Sequence, residues 1–230
     1  MPLHARRLPD KAQISGRREV LTAQAPGADH GNMAELMLHE EILLLALDNE
    51  KGTAPFGSMY TYGMAGGIIT ELVLRGRLRL EKVKKSLLVD VALRTQTGEP
   101  LLDEVLEKVA TAKRRASIQT WVSRIAQTRR LHERVANRLR DRGVLRREEG
   151  RVLLFFPRKT WPTQDEAPER ALVNRIVAAI RGSGSVDGRT ATIIALAKSA
   201  RVLEPHLEKG ELKARKERIE VGTMMASALP

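Results

Sequence analysis

The stretch Leu38-His-Glu-Glu-Ile-Leu-Leu-Leu-Ala-Leu47 decides the fold. Beyond its first turn it is apolar on every side, which predicts a helix, beginning near Met33, at the centre of the molecule. Residues 48–52 end this helix, with Gly52 as the turn residue. Residues 64–74 predict a second central helix, in which Gly66 and Gly67 indicate close packing against a neighbour.

The composition of the whole chain favours helices as well. Hydrophobic residues make up 42% of the 230 residues, but aromatic residues only 3%, so the core must consist of Leu, Val, Ile and Ala rather than the residues of a β-sandwich. Further helices are predicted over residues 101–110, 117–126, 131–142, 171–181, 190–203 and 212–226. Short strands are predicted near residues 75–81 and 86–93, and a hairpin over residues 144–156 with its turn at Glu148-Glu-Gly150. Pro and Gly interrupt residues 1–32, which predicts a flexible basic leader before an ordered domain over residues 33–226.

Positive charge is concentrated in one part of the chain. The net charge is +12, and residues 113–151 hold thirteen Lys and Arg against four Asp and Glu, a net of +9. In the helix predicted over residues 131–142, Leu131, Val135 and Leu139 share the core face. The other side is rich in arginine, whose planar fork matches phosphate oxygens. A polyanionic partner is therefore expected, either nucleic acid or anionic lipid; the alternative is a solvated face with local ion pairs.

Three stretches together resemble a known family. They are Leu38 to Leu47 as quoted above, Ile69-Thr-Glu-Leu-Val-Leu-Arg-Gly-Arg-Leu78 with the following Lys85-Ser-Leu-Leu88 and Leu101-Leu-Asp-Glu-Val-Leu106, and Glu133-Arg-Val-Ala-Asn-Arg-Leu139 with Gly143-Val-Leu145 and Leu153-Leu-Phe-Phe156. In order and spacing they resemble the Golgi phosphoprotein 3 family over residues 36–207. The resemblance implies a mostly α, single-domain helical bundle with surrounding amphipathic helices and a protruding β-hairpin.

The resemblance also implies a peripheral membrane protein. Eukaryotic members of the family bind phosphatidylinositol 4-phosphate on the cytosolic face of the Golgi and recruit glycosyltransferases and coat components. The expected function is therefore binding of anionic phospholipid, by resemblance phosphatidylinositol 4-phosphate, as a trafficking or membrane adaptor. The expected location is cytoplasmic, on the cytosolic face of a membrane. Homo-oligomers are expected through the hairpin residues, which are Val152, Leu153, Leu154, Phe155 and Phe156.

The family binds its lipid through residues at four positions, and each position can be matched to a residue of this sequence. The family tryptophan falls at Phe56 or Gly57, and the family arginines fall at Ala65, Arg129 and His132. Arg129 keeps the family residue, whereas Ala65 and His132 replace arginines. Arg130 and Arg134 can supply compensating charge, so the predicted head-group residues are Phe56, Arg129, Arg130, His132 and Arg134.

No catalytic or metal-binding pattern accompanies these motifs. The chain has no cysteine and its five histidines lack zinc-ligand spacing. The glycines at positions 63–67 lack the Lys-Ser/Thr of a phosphate-binding loop, and no apolar run reaches the roughly 20 residues that span a bilayer. No enzyme activity, cofactor or metal is predicted. His39, beside Glu40 and Glu41, is expected at the surface.

Two other functions fit parts of the pattern. A basic helix over residues 131–142 followed by a hairpin is how a winged-helix DNA-binding domain often ends, and its arginines would suit DNA phosphates. Lipid binding is favoured over DNA binding, because no compact pair of helices precedes the basic helix and because the chain contains long apolar helices. A protein-interaction adaptor that uses the hairpin is the other alternative.

Overall fold

The protein is mostly helical, with two small antiparallel sheets, which confirms the predicted fold class. The computed structural model describes residues 35–54, 59–152 and 156–215, with the backbone alone for residues 150–152, 156–158 and 212. The helices are α1 (Leu38–Ala46), α2 (Met59–Leu74), α3 (Pro100–Ala110), α4 (Ile118–Ala126), α5 (Leu131–Asp141), α6 (Ala167–Arg181), α7 (Gly188–Ser199) and α8 (Glu211–Ala214). The strands are β1 (Leu78–Val83), β2 (Ser86–Val91), β3 (Ala116–Ser117), β4 (Glu148–Val152) and β5 (Phe156–Thr160). The predicted leader lies outside the described residues, and the division at residues 32 and 33 stays a prediction.

Helix α1 is the centre of the fold. All nine of its residues are buried, and it packs against α2, α5, α6 and α7. Gly67 of α2 lies directly against the backbone of α1, where an added Cβ would be 2.8 Å from the His39 nitrogen. The predicted close packing at the paired glycines is therefore present, and Gly67 allows the two central helices to touch.

Buried carboxylates connect α1 to the later helices. Glu40, fully buried, lies 2.8 Å from Arg142 Nη1 and 3.2 Å from Arg138 Nε. Glu41 pairs with Arg175 of α6. Glu71 of α2 accepts hydrogen bonds from the Leu38 nitrogen and from Arg189 Nη2 of α7, both at 2.9 Å.

The surface position expected for His39 is wrong. Its exposed fraction is 1%. Burial, assisted by the positive charge of Arg138, lowers the pKa of His39 to about 3. The segment resembles a polar helix start, but His39 is enclosed by the core, and the adjacent Glu40 and Glu41 meet arginines of other segments.

The strands form a sheet in the order β1-β2-β3 and a separate pair, β4 with β5. The predicted hairpin turn at Glu148-Glu-Gly150 is wrong, because these residues lie within β4 and Glu149 pairs with Lys159. The observed strands run over residues 148–152 and 156–160, so the hairpin lies further towards the C-terminus than predicted. Helix α2 begins at Met59, five residues before the predicted start, because its first turn is partly exposed and carries no apolar run. Within the described residues, no helix combines the length and apolarity needed to cross a bilayer.

Candidate functional site

A cavity of about 660 Å³ lies where three distant parts of the chain meet. Its walls are the loop after α1, the first turn of α2, the turn between α4 and α5, and the paired strands β4 and β5. Gly52 allows this meeting: its φ is +59°, and a Cβ there would be 2.2 Å from the Trp161 carbonyl carbon. The Gly52 carbonyl also accepts a hydrogen bond of 2.9 Å from the Trp161 nitrogen. The loop after α1 is thereby fixed against the segment that follows β5.

Three aromatic rings form one wall of this cavity. The ring of His132 lies between Tyr60 and Trp161, with centroid distances of 5.7 Å and 5.0 Å and edge-to-face geometry. The Tyr60 hydroxyl and His132 Nδ1 are joined by a hydrogen bond of 3.2 Å. Burial lowers the pKa of His132, and the Glu133 carboxylate only partly opposes this. At neutral pH the wall is therefore uncharged at His132.

The charged side chains around the cavity are partly paired with each other. Glu133 lies 3.1 Å from Lys159 Nζ, and this lysine holds the pKa of Glu133 below its usual range. Glu149 pairs with Arg147. Arg130 also lines the cavity, is exposed, and has no carboxylate within ion-pair distance among the described side chains. An entering anion would therefore meet the guanidinium of Arg130 first.

Arg130 has an unusual backbone conformation for its residue type. It occupies the N-cap position of α5 with φ 56° and ψ 32°, in the left-handed region. For a residue with a side chain this conformation costs roughly 1–2 kcal/mol. The tight turn between α4 and α5 imposes it, and the same turn places the side chain at the mouth of the cavity.

Comparison with known proteins identifies the family. The family described as Golgi phosphoprotein 3 (GPP34) matches residues 38–229. The chain belongs to the Golgi phosphoprotein 3 family. It is similar to the vacuolar protein sorting-associated protein 74 of Schizosaccharomyces pombe, with 31% identity over 173 residues. This match covers 67% of the chain and 51% of the relative, so the chain spans about half the length of that curated protein.

The structure brings together two of the predicted head-group residues of this Golgi phosphoprotein 3 family member. Arg130 and His132 both line the cavity. Arg129 is exposed in the same turn but is not part of the cavity wall. Phe56 lies outside the described residues. Ala65, at the position of a family arginine, is completely buried in α2 and cannot face a ligand.

Arg134, another of the predicted head-group residues, does not line this cavity. Its Nη1 is 2.7 Å from Glu104 Oε2 of α3, and its side chain lines a different cavity. Position 134 is one turn beyond Arg130 and is directed towards α3. The head-group assignment as a whole stays a prediction.

Sequence reasoning missed Tyr60, Lys159 and Trp161, which complete the cavity. Tyr60 belongs to the first turn of α2, before the helix start predicted at residue 64. Lys159 and Trp161 lie beyond the hairpin predicted over residues 144–156. One signal was available: the whole chain has two Trp and two Tyr, so each one marks a position where a large ring is needed.

The structure describes only part of the hairpin that is predicted to mediate self-association. The backbones of Val152 and Phe156 pair at the end of β4 and β5, whereas Leu153, Leu154 and Phe155 lie outside the described residues. Self-association through these residues stays a prediction. Within the described ranges, no group of three or more His, Asp or Glu could hold a metal ion.

Proposed function

We propose that this protein is a peripheral membrane adaptor that binds the head group of an anionic phospholipid in the cavity lined by Arg130 and His132. The observation that carries the proposal is the exposed guanidinium of Arg130 at the mouth of a cavity of about 660 Å³. Arginine is suited to phosphate because its planar fork donates two parallel hydrogen bonds. Membership of the Golgi phosphoprotein 3 family, and similarity to a protein whose name refers to vacuolar protein sorting, support a role in membrane trafficking. The protein acts by binding, on the cytosolic face of a membrane, and not by catalysis.

The finer part of the proposal concerns the head group. By resemblance to the family it is phosphatidylinositol 4-phosphate. The described cavity wall offers Arg130 and Lys159, the latter already paired with Glu133, and an uncharged His132. We expect this wall to bind one phosphate charge well. Binding of the protein to phosphatidylglycerol vesicles should therefore be compared with binding to phosphoinositide vesicles of equal charge.

The test is vesicle sedimentation with graded anionic lipid in phosphatidylcholine. The double variant Arg129→Glu, Arg130→Glu removes the exposed cations of the α4–α5 turn. A basic residue near an anionic surface contributes about 1 kcal/mol, so loss of two should weaken binding roughly 30-fold or more. The matched control is Lys82→Glu, Lys85→Glu, which makes the same charge change on the exposed β1–β2 hairpin.

Two results would end the proposal. One is wild-type binding that is no stronger to anionic than to neutral vesicles. The other is an equal loss of binding in the control variant, because this would show that total charge and not the cavity decides. Far-ultraviolet circular dichroism of both variants excludes loss of the fold as the cause.

Nucleic acid is the alternative partner, and the pairing of the α5 arginines disfavours it. A recognition helix needs unpaired cations along the side that enters the groove. The described arginines of α5 and its C-cap, which are Arg134, Arg138, Arg140 and Arg142, each form an ion pair with a carboxylate of the same chain. A salt titration with random duplex DNA, run beside the vesicle assay, would reverse the ranking if it gave salt-sensitive binding without vesicle binding.

Self-association through the hairpin is a separate part of the proposal. Light scattering after size-exclusion chromatography should give a mass above that of one chain. The variant Leu153→Asp, Leu154→Asp should reduce it to that of one chain. An unchanged mass in that variant would remove the hairpin from the proposal.

A further inference from the structure

A second, smaller cavity is walled by three arginines. It has a volume of about 210 Å³ and lies between β2, the C-terminal end of α3 and the beginning of α4. Arg94, Arg114 and Arg115 all line it, and Asp90 is the carboxylate on its wall. The lining therefore has more positive than negative charge, and the exposed Lys113 lies next to it in the sequence.

Two of these guanidiniums are held in place by the fold. Arg115 donates through Nε to Asp90 Oδ1 at 2.7 Å and also pairs with Glu81. Arg94 donates through Nη2 to the Ala110 carbonyl at 3.2 Å, which covers the negative end of α3. Ordering these long side chains beforehand lowers the entropic cost of binding a ligand.

Arg114 supplies a positive charge that is not neutralised in the way that the charge of Arg115 is. It is exposed, and within the described part of the chain it forms no ion pair. Its neighbour Arg115 meets two carboxylates, so Arg114 and Arg94 are the guanidiniums whose charge is left for a ligand. Both would approach the same small volume from different segments of the chain.

One further side-chain donor, the indole of Trp121, belongs to the wall of this cavity. Trp121 lines the cavity and is 4% exposed, and its indole N–H has no acceptor among the described residues. The guanidinium of Arg124 lies 4.9 Å from the centroid of the same ring. Donors and cations thus surround a space with a single carboxylate at its edge, which is the environment that a phosphate group favours.

We infer that Arg94, Arg114 and Arg115 form a second anion site, which binds a phosphate group independently of the cavity at His132. No described residue lines both cavities. They meet α4 at different points, Trp121 in the second cavity and Ala126 in the first, which are about 7.5 Å apart along the helix axis. The phosphate can belong to a small soluble molecule or to a lipid head group.

The test uses inorganic phosphate and the full chain. Binding is measured by titration calorimetry at constant ionic strength, with chloride as the reference anion. The variant Arg94→Gln, Arg114→Gln removes the two guanidiniums and keeps Arg115, which is tied to Glu81 and Asp90. We expect its affinity for phosphate to fall about tenfold or more, with wild-type affinity in the matched control Lys82→Gln, Lys85→Gln.

Wild-type affinity in the arginine variant, or no phosphate binding by the wild-type chain, would overturn the inference. The same two substitutions are also made in an Arg130→Glu background, in which the cavity at His132 has lost its exposed guanidinium. A tenfold loss of phosphate affinity that persists in this background belongs to Arg94 and Arg114, so failure of the proposed function leaves this site unaffected. Vesicles with phosphatidic acid identify the source of the phosphate. If the arginine variant loses both phosphate and vesicle binding, the ligand is a lipid head group; if it loses phosphate alone, the ligand is soluble.

Discussion

The contact between α1 and α2 predicts opposite outcomes for alanine at two adjacent glycines. A Cβ on Gly67 would lie 2.8 Å from the His39 nitrogen, 3.0 Å from the Leu38 carbonyl carbon and 3.1 Å from the His39 Cα. All three are backbone atoms of a helix packed on several sides, so they cannot rotate away. A Cβ on Gly66 would meet only the end of the Leu196 side chain, at 2.9 Å, and that side chain can change rotamer.

The magnitudes follow from two opposing effects. Replacing Gly by Ala inside a helix gains about 1 kcal/mol. Forcing a buried helix from 2.8 Å to an ordinary separation of about 3.5–4.0 Å is overpacking, which costs roughly 1–3 kcal/mol and occasionally more. Because Gly67 touches backbone atoms, we expect an overpacking cost near the upper end of this range. Gly67→Ala should therefore lower the free energy of unfolding by about 2 kcal/mol in total. For Gly66→Ala we expect a change between zero and a gain of about 1 kcal/mol.

Urea unfolding followed by circular dichroism and by the fluorescence of Trp121 and Trp161 measures both variants. The two probes should give coincident transitions if unfolding is two-state. A Gly67→Ala protein as stable as the wild type would refute the argument. So would a Gly66→Ala protein that loses as much stability as Gly67→Ala, because flexible and rigid neighbours would then be equivalent.

Three further predictions concern single side chains. Arg130→Gly should raise the free energy of unfolding by up to about 1 kcal/mol, because Gly tolerates the positive φ. The same variant should bind vesicles more weakly. Urea denaturation measures the first effect and vesicle sedimentation the second, and a stability equal to that of the wild type would argue against strain at position 130. Because the pKa of His39 is about 3 in the folded protein and near 6.5 when unfolded, the unfolded state binds more protons below pH 6.5. Stability should therefore fall by roughly 2 kcal/mol from pH 7 to pH 5 through this residue, and the fall should be absent in His39→Leu; parallel pH profiles of the two proteins would contradict this. Glu40→Ala should lose about 3 kcal/mol, the lower end for a broken buried pair, because it removes the fully buried carboxylate that meets the partly exposed guanidiniums of Arg138 and Arg142. The loss should be less than about 1 kcal/mol for Glu104→Ala, whose side chain is partly exposed. Urea unfolding measures both, and similar losses would show that burial of the pair has no effect.

The sequence predicted the central helices because their burial follows from the residues of the helices themselves. The apolar runs that form α1 and the second half of α2 leave no polar side to face water, and the paired glycines indicated their contact. In the same way Leu131, Val135 and Leu139 of α5 are buried as their spacing predicts. Each of these inferences needs only residues within a few turns of one another.

What could not be predicted depends on residues far apart in the chain. His39, Glu40 and Glu41 are polar, and their burial depends on arginines about 100 or more positions later, such as Arg142 and Arg175. The cavity has the same character, because Trp161 in its wall is hydrogen-bonded to Gly52, 109 positions earlier in the chain. The sequence shows the charge of the basic segment. It does not show which arginines form ion pairs, because their carboxylate partners are neighbours only in the folded structure.

The long-range ion pairs of α1 also set an order of events during protein synthesis. Arg175, the partner of Glu41 in α1, is added 134 positions after that carboxylate. Arg189, the partner of Glu71, follows 118 positions after that carboxylate. Until Arg175 is added, the nascent chain presents the apolar segment of α1 with Glu41 lacking its arginine partner, whereas Glu71 can already pair with the nearby Arg75. A chaperone that covers exposed apolar helices would act in this interval.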